Sequence, residues 1–174
     1  MFETIQRLWR HRRLDERDTR RMIDPLLVQR LTQRVHASEQ RHSGEIRLCI
    51  EASLPNSYLR RQGPMREIIR QRALTMFGKL RVWDTEHNNG VLIYLLLAER
   101  AIEIVADRGL NRHVSRMEWQ AMVQRMGSAF STGDFETGLT QAMEEVSAVL
   151  VQHFAQTQDT QRLGNQLPDA PDLR

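Results

Sequence analysis

The 174-residue chain has a single cysteine, Cys49, and a single lysine, Lys79. One cysteine excludes an intramolecular disulfide and any zinc site built on several thiolates. Cys49 stands in an alternating apolar stretch, so it is expected to be a buried thiol rather than a nucleophile. Only two tyrosines are available for stacking on bases, and acidic residues are interspersed among the basic ones. Nucleic-acid binding is therefore not expected. No apolar run approaches the roughly 18 residues needed to span a bilayer; the longest, Val91 to Ala98, is strand-sized. The opening MFETIQRLWRHRRLDERD has neither an apolar h-region nor a small-residue cleavage site, so no secretory signal is expected. These absences lead to the expectation of a cytoplasmic protein, peripheral to a membrane at most. The chain also lacks a Gly-x-Ser-x-Gly elbow, a P-loop and a Rossmann glycine pattern, and no catalytic residue declares itself.

Charge is present in both signs, with 25 basic and 22 acidic residues. Nearly all the bases are arginine, whose planar fork pairs with carboxylates and phosphates. A GC-rich coding background gives the same bias. Residues 2–13 read as a short basic helix, with Phe2, Ile5, Leu8 and Trp9 on one face and Arg7, Arg10, Arg12 and Arg13 on or beside the other. Such a segment either lies on an anionic membrane surface or docks on its own domain. Residues 1–23 are thus set apart as a basic amphipathic segment, 24–155 as the domain, and 156–174 as a tail. The tail is rich in Gln, Thr, Asn, Pro and Asp without a core pattern and is expected to be disordered.

Within the domain, Asp24-Pro25 starts a helix carrying Leu27, Leu31 and Val35, which stops at Ser43-Gly44. EIRLCIEA (45–52) alternates and reads as a strand. A second helix runs from Pro64 to Gly78. GVLIYLLLA (90–98) is apolar at nearly every position, as a strand covered on both faces is, so Tyr94 and Leu95 should both be buried. Glu99-Arg100 turns the chain into a partner strand, 101–107. Ser115 and Glu118 form a capping box, and Asp134 caps the last helix. The order predicts an α/β fold in three layers, a small mixed sheet with helices on both faces.

The loop before the central strand holds Asp84, Glu86, His87, Asn88 and Asn89, and Asp107 ends the partner strand. Both lie at one edge of the sheet. Carboxylates, amide oxygens and carbonyls are ligands for a hard cation such as Ca²⁺ or Mg²⁺, and Gly90 and Gly109 allow close backbone approach. Asp84, Glu86, Asn89 and Asp107 are the candidate ligands, and Asp84 with Asp107 the candidate carboxylate pair for acid-base work. The spacing is not that of an EF-hand. A polar turn with a satisfied Asp cap is the plainer reading, and Arg81 or Arg108 is placed to neutralise the acids internally.

Trp83, Asn88-Asn89-Gly90, the strand Val91 to Leu97, Arg100, Ile102-Glu103, the Asp107-Arg108-Gly109-Leu110 turn and Gly133-Asp134-Phe135 together resemble the TPM domain family over about residues 24–154. The resemblance is to the short bacterial form that accompanies a LemA-type membrane protein and a longer, transmembrane TPM protein. It implies a three-layer α/β domain that binds calcium or a similar ion at the sheet edge. It further implies a protein partner of one of those two kinds, and in some members acid phosphatase activity. The chain departs from the family at Asn88, often an acid there, and at Asp107, which replaces the first glycine of a Gly-x-Gly turn. The expected function is a non-enzymatic binding module; the alternative is a metal-assisted phosphatase.

Overall fold

A computed structural model describes residues 11–12, 14–161 and 163–174. Apart from His11 and Arg12, the basic segment at 2–13 lies outside the described residues. Helices α1 (Glu16–Met22), α2 (Pro25–Glu39), α3 (Asn56–Leu59), α4 (Met65–Lys79), α5 (Arg116–Thr132), α6 (Phe135–His153) and α7 (Gln158–Gln161) pack around strands β1 (Glu45–Glu51), β2 (Gly90–Leu96), β3 (Ala101–Ala106) and β4 (Asp172–Leu173). The sheet order is β3-β2-β1-β4. β1 and β2 run parallel with Leu48 opposite Ile93, and β2 and β3 run antiparallel with Ile93 opposite Ile104. The expected mixed sheet with helices on both faces is therefore the fold.

Alternation sorts the side chains. Ile46, Leu48, Ile50, Val91, Ile93, Leu95, Ile102 and Ile104 meet α2, α5 and α6 on one face. Cys49, Leu92, Tyr94, Leu96 and Val105 meet α3 and α4 on the other. Tyr94 and Leu95 are both at 0% exposure, as a strand covered twice requires. Local chemistry sets the helix ends. Asp24 accepts the Leu27 N–H at 2.7 Å ahead of Pro25, Ser115 and Glu118 close a capping box, and Asp134 accepts from Thr137. An Asp15–Asp18 capping box starts α1, a helix the apolar pattern did not show. β2 ends earlier than expected: Leu97–Glu99 tighten into a 3₁₀ turn, closed by Arg100 in the left-handed region at φ 49°.

The helix face of β1 carries charges that need partners. Arg72 holds Glu51 through both carboxylate oxygens, at 2.9 and 2.6 Å, and the Tyr94 hydroxyl donates to Glu51 at 2.6 Å. All three side chains are buried. Burial, and then the Glu51 carboxylate, pushes the Tyr94 hydroxyl up.

The C-terminal stretch corrects the expectation of disorder. β4 pairs with the outer edge of β1, and Arg174 exchanges backbone hydrogen bonds with Ile50 and Ala52 at 2.9 and 2.7 Å. The buried Arg47 donates to the carbonyls of Pro168 and Ala170, and the Leu167 N–H donates to Glu45 at 3.1 Å. The physical reason is that β1 has an unpaired edge and a buried guanidinium, and main-chain groups of any composition satisfy both.

Two outcomes follow. Arg72→Met strands a buried carboxylate and should cost about 3–5 kcal/mol in denaturant unfolding, while Glu51→Leu/Arg72→Met together should recover most of it; an equal loss in the double variant would show that the pair is not the cause. A chain ending at Gly164 should lose on the order of 1–3 kcal/mol for each buried group left unpaired, and an unchanged melting temperature would show that the tail contributes nothing to the fold.

Candidate functional site

The Asp107 N–H donates to the Gly90 carbonyl at 2.9 Å, which brings the 80–90 loop and the turn after β3 to one rim of the sheet. Backbone packs on backbone there. A Cβ at Gly90 would lie 2.0 Å from the Val82 carbonyl oxygen. One at Gly109 would lie 2.5 Å from the Asn88 oxygen and 2.8 Å from that of His87. Asn88 adopts the left-handed conformation (φ 52°), which asparagine tolerates better than most residues. Its Oδ1 accepts from Arg108 Nε at 2.8 Å.

The four candidate ligands meet different fates. Asp84 is exposed and ion-paired to Arg81, three residues earlier. Glu86 is also exposed, and its N–H donates to Gln166 of the tail at 2.8 Å. Asn89 is buried; its amide donates to the Ser43 carbonyl at 3.0 Å, and its Oδ1 has no hydrogen-bond partner. Asp107 is buried as well. Its Oδ1 accepts the Arg108 N–H at 2.7 Å, and its Oδ2 has no partner. Thus Arg81 neutralises Asp84, whereas Arg108 offers Asp107 its backbone and not its guanidinium. Among the described residues, no three His, Cys, Asp or Glu side chains group to hold a metal ion. Any cation here rests on amide and carbonyl oxygens together with Asp107.

Sequence reasoning missed a second polar group beside this rim. A cleft of about 240 Å³ is lined by His36, Glu39, His42, Glu45 and Gln166, among others. Burial, with Glu45 and Asp169 nearby, pushes Glu39 up to about 9, against the pull of the Ile46 N–H that it accepts at 2.8 Å. Burial drives His42 down to about 4. Its Nδ1 faces the Gly44 carbonyl at 3.0 Å and so carries the proton, leaving Nε2 to accept from Ser38 at 2.9 Å. His42 and His11 are both buried. His11 accepts the Leu54 N–H at 3.1 Å and faces Glu99 at 3.0 Å. Nothing in the spacing of a lone histidine announces such partners. Cys49 is the buried thiol expected, and burial pushes it up, away from the thiolate.

A family model described as "TPM domain" matches residues 17–149. The NMR structure of the BA42 protein from the psychrophilic bacterium Bizionia argentinensis is similar at 25% identity and a TM-score of 0.67, covering 83% of this chain and 90% of that one. The N-terminal domain of a protein from P. gingivalis is similar at 19% identity and a TM-score of 0.54, covering 72% and 76%; at that identity the likeness concerns the fold alone. No curated protein matches the chain significantly.

Glu39 and His42 tie stability to pH in opposite directions. Glu39 is raised from an ordinary 4.5 to about 9, so the stability it contributes as a bound proton is complete below pH 4.5 and is lost as pH rises through 9. His42 is lowered from 6.5 to about 4, so its contribution is present above pH 6.5 and lost as pH falls through 4. Glu39→Gln keeps an acceptor for Ile46 and should flatten the alkaline decline. Its melting temperature should match the wild type near pH 5 and exceed it at pH 9; parallel curves would show that Glu39 is not the buried acid.

Proposed function

The chain belongs to the TPM domain family, and from that premise we propose that it is a non-enzymatic binding module that takes a divalent cation of the Ca²⁺ or Mg²⁺ class at the rim and docks on a membrane-associated protein partner. The observation that carries the cation is Asp107 Oδ2, a buried carboxylate oxygen with no donor. Such a group is costly without a counter-charge or a proton. A hard cation supplies the counter-charge, and the neighbouring groups are oxygens, the ligand type that Ca²⁺ and Mg²⁺ take. The carbonyls of His87 and Asn88 crowd Gly109, two residues along, and Asn89 Oδ1 is a second unpaired acceptor on the rim. Asp107 is the primary ligand in this reading. Asp84 and Glu86 stand outside, exposed, and Asp84 contributes only by leaving Arg81.

The partner is a LemA-type protein or a transmembrane TPM protein, on the strength of the family resemblance. Among the described residues no helix is long and apolar enough to cross a membrane, so contact with a membrane would come through that partner or the basic segment at 2–13. The alternative, a metal-assisted phosphatase, needs Asp84 and Asp107 to work together on one ion. The Arg81 ion pair of Asp84 favours the binding module over it.

Millimolar Ca²⁺ or Mg²⁺ should raise the melting temperature, by the equivalent of about 2.7 kcal/mol at a hundred times the dissociation constant. Asp107→Asn should abolish the rise and Asp84→Asn should keep most of it. An ion-independent wild type would remove the cation from this reading, and ion-stimulated hydrolysis of p-nitrophenyl phosphate would replace the module with the enzyme.

A further inference from the structure

Among the described residues β3 is an edge strand, paired with β2 on one side only. The hydrogen bond from Asp107 to Gly90 fixes its phase: Val105, Glu103 and Ala101 turn their backbone groups toward β2, and Ile102, Ile104 and Ala106 turn theirs outward. Two outward carbonyls are covered, Ile104 by Arg70 Nη1 at 2.5 Å and Ala106 by Asn111 Nδ2 at 3.2 Å. Among the described residues, the amides of Ile102, Ile104 and Ala106 and the carbonyl of Ile102 remain as the open part of the edge.

A groove of about 1090 Å³ runs along this edge between α4 and α5. Its two walls differ in chemistry. On the α5 side are Val114, Trp119 and Val123, next to Ile102 and Ile104. On the α4 side are Arg66 and Arg70, next to Glu103, and Arg116 stands at the start of α5. Arg70 reaches Glu103 at 3.2 Å. Arg66 and Arg116 are exposed, act on the Glu103 carboxylate through space, and make no ion pair among the described residues. Three guanidinium groups therefore share one carboxylate. Of the other acids at the groove, Glu99 is held by His11 and Glu67 sits in the first turn of α4.

We propose that this groove binds an extended acidic segment of a protein partner, which adds as a further strand on β3 with acidic side chains toward Arg66 and Arg70 and apolar ones toward Trp119 and Val123. This rests on the binding-module reading and gives its partner a chemistry; it does not depend on the cation. Strand addition at an open edge takes affinity from main-chain hydrogen bonds and specificity from alternate side chains. The two walls ask for that alternation. Arg70 guards the edge: by covering the Ile104 carbonyl it blocks indiscriminate pairing, and an incoming carboxylate draws it away. A second copy of the chain fits worse, because pairing β3 with β3 brings two sets of three arginines together.

The probe is a fluorescein-labelled octapeptide of alternating Val and Glu, followed by anisotropy at low salt with the full chain. Saturable binding is expected, weaker by roughly tenfold or more for a Val-Lys peptide, for the same peptide N-methylated at alternate amides, and for Arg66→Glu/Arg116→Glu. Both substituted residues are exposed, so the variant should stay folded and keep its response to Ca²⁺, with a small drop in melting temperature from the Glu103 carboxylate left beside new negative charge; the failure of the groove is thereby separable from the failure of the rim. No binding up to about a millimolar, or binding indifferent to N-methylation or to charge reversal, would overturn the proposal. So would a dimer by sedimentation that the peptide does not dissociate, which would assign the edge to a second copy.

Discussion

Everything in this fold answers to the burial of β2 on both faces. From Val91 to Leu96 every side chain is closed to solvent, which is the largest single source of apolar burial available to so short a segment. A strand covered twice has no place for an unpaired polar group. Its one hydroxyl, on Tyr94, is met by Glu51, and the charge on Glu51 is met by the bidentate Arg72 of α4. A requirement that starts in the middle of the sheet thus fixes the rotation of a helix lying over it. All other polar chemistry is displaced outward, to the rim where the strands begin and end and to the free edges of the outer strands.

The two edges are treated differently. The outer edge of β1 is closed by the chain itself, through β4 and the carbonyls that receive Arg47. Among the described residues, the outer edge of β3 has only side-chain guards, Arg70 and Asn111. Since an unpaired edge is ordinarily blunted, a groove left along one of them is a property of the surface that packing alone does not require.

How much of this the sequence shows depends on the kind of interaction involved. The three long strands and their pairing were legible because alternation and two-sided apolar character are local patterns. The caps at Asp24, Ser115 and Asp134 were legible because a cap is decided within four residues. The tail was not, because its partners are backbone groups: Pro168 and Ala170 hold Arg47 by carbonyls that any residue owns. The burial of His11 and His42 was equally hidden, since Leu54 N–H and Gly44 C=O are unremarkable until the fold brings them there. At the rim, the residue types pointed to an oxygen-rich edge, but not to which acid each arginine takes. Of the two candidates for internal neutralisation, Arg81 takes Asp84, while Arg108 turns its side chain to Asn88.

That partition of arginines is what gives the surface its character. In a chain with so many guanidinium groups, some acids find a two-point fork, as Glu51 does in Arg72 and Glu136 in Arg30. Two departures then stand out, and both lie on β3 or at its end. Glu103, within the strand, has three arginines around it. Asp107, one residue past the strand, has none on its Oδ2, which is buried and unpaired. The first is an excess of positive charge beside open backbone, and the second a carboxylate oxygen without a donor beside carbonyls. An arginine on Asp107 would answer the second with the same group that crowds the first, but Arg108 is committed to Asn88 and holds the left-handed turn at that residue in place. The geometry of the rim turn thus commits the Arg108 guanidinium to Asn88 and leaves a buried carboxylate oxygen of Asp107 beside backbone carbonyls, where a charge that the fold could have neutralised from within stays unpaired.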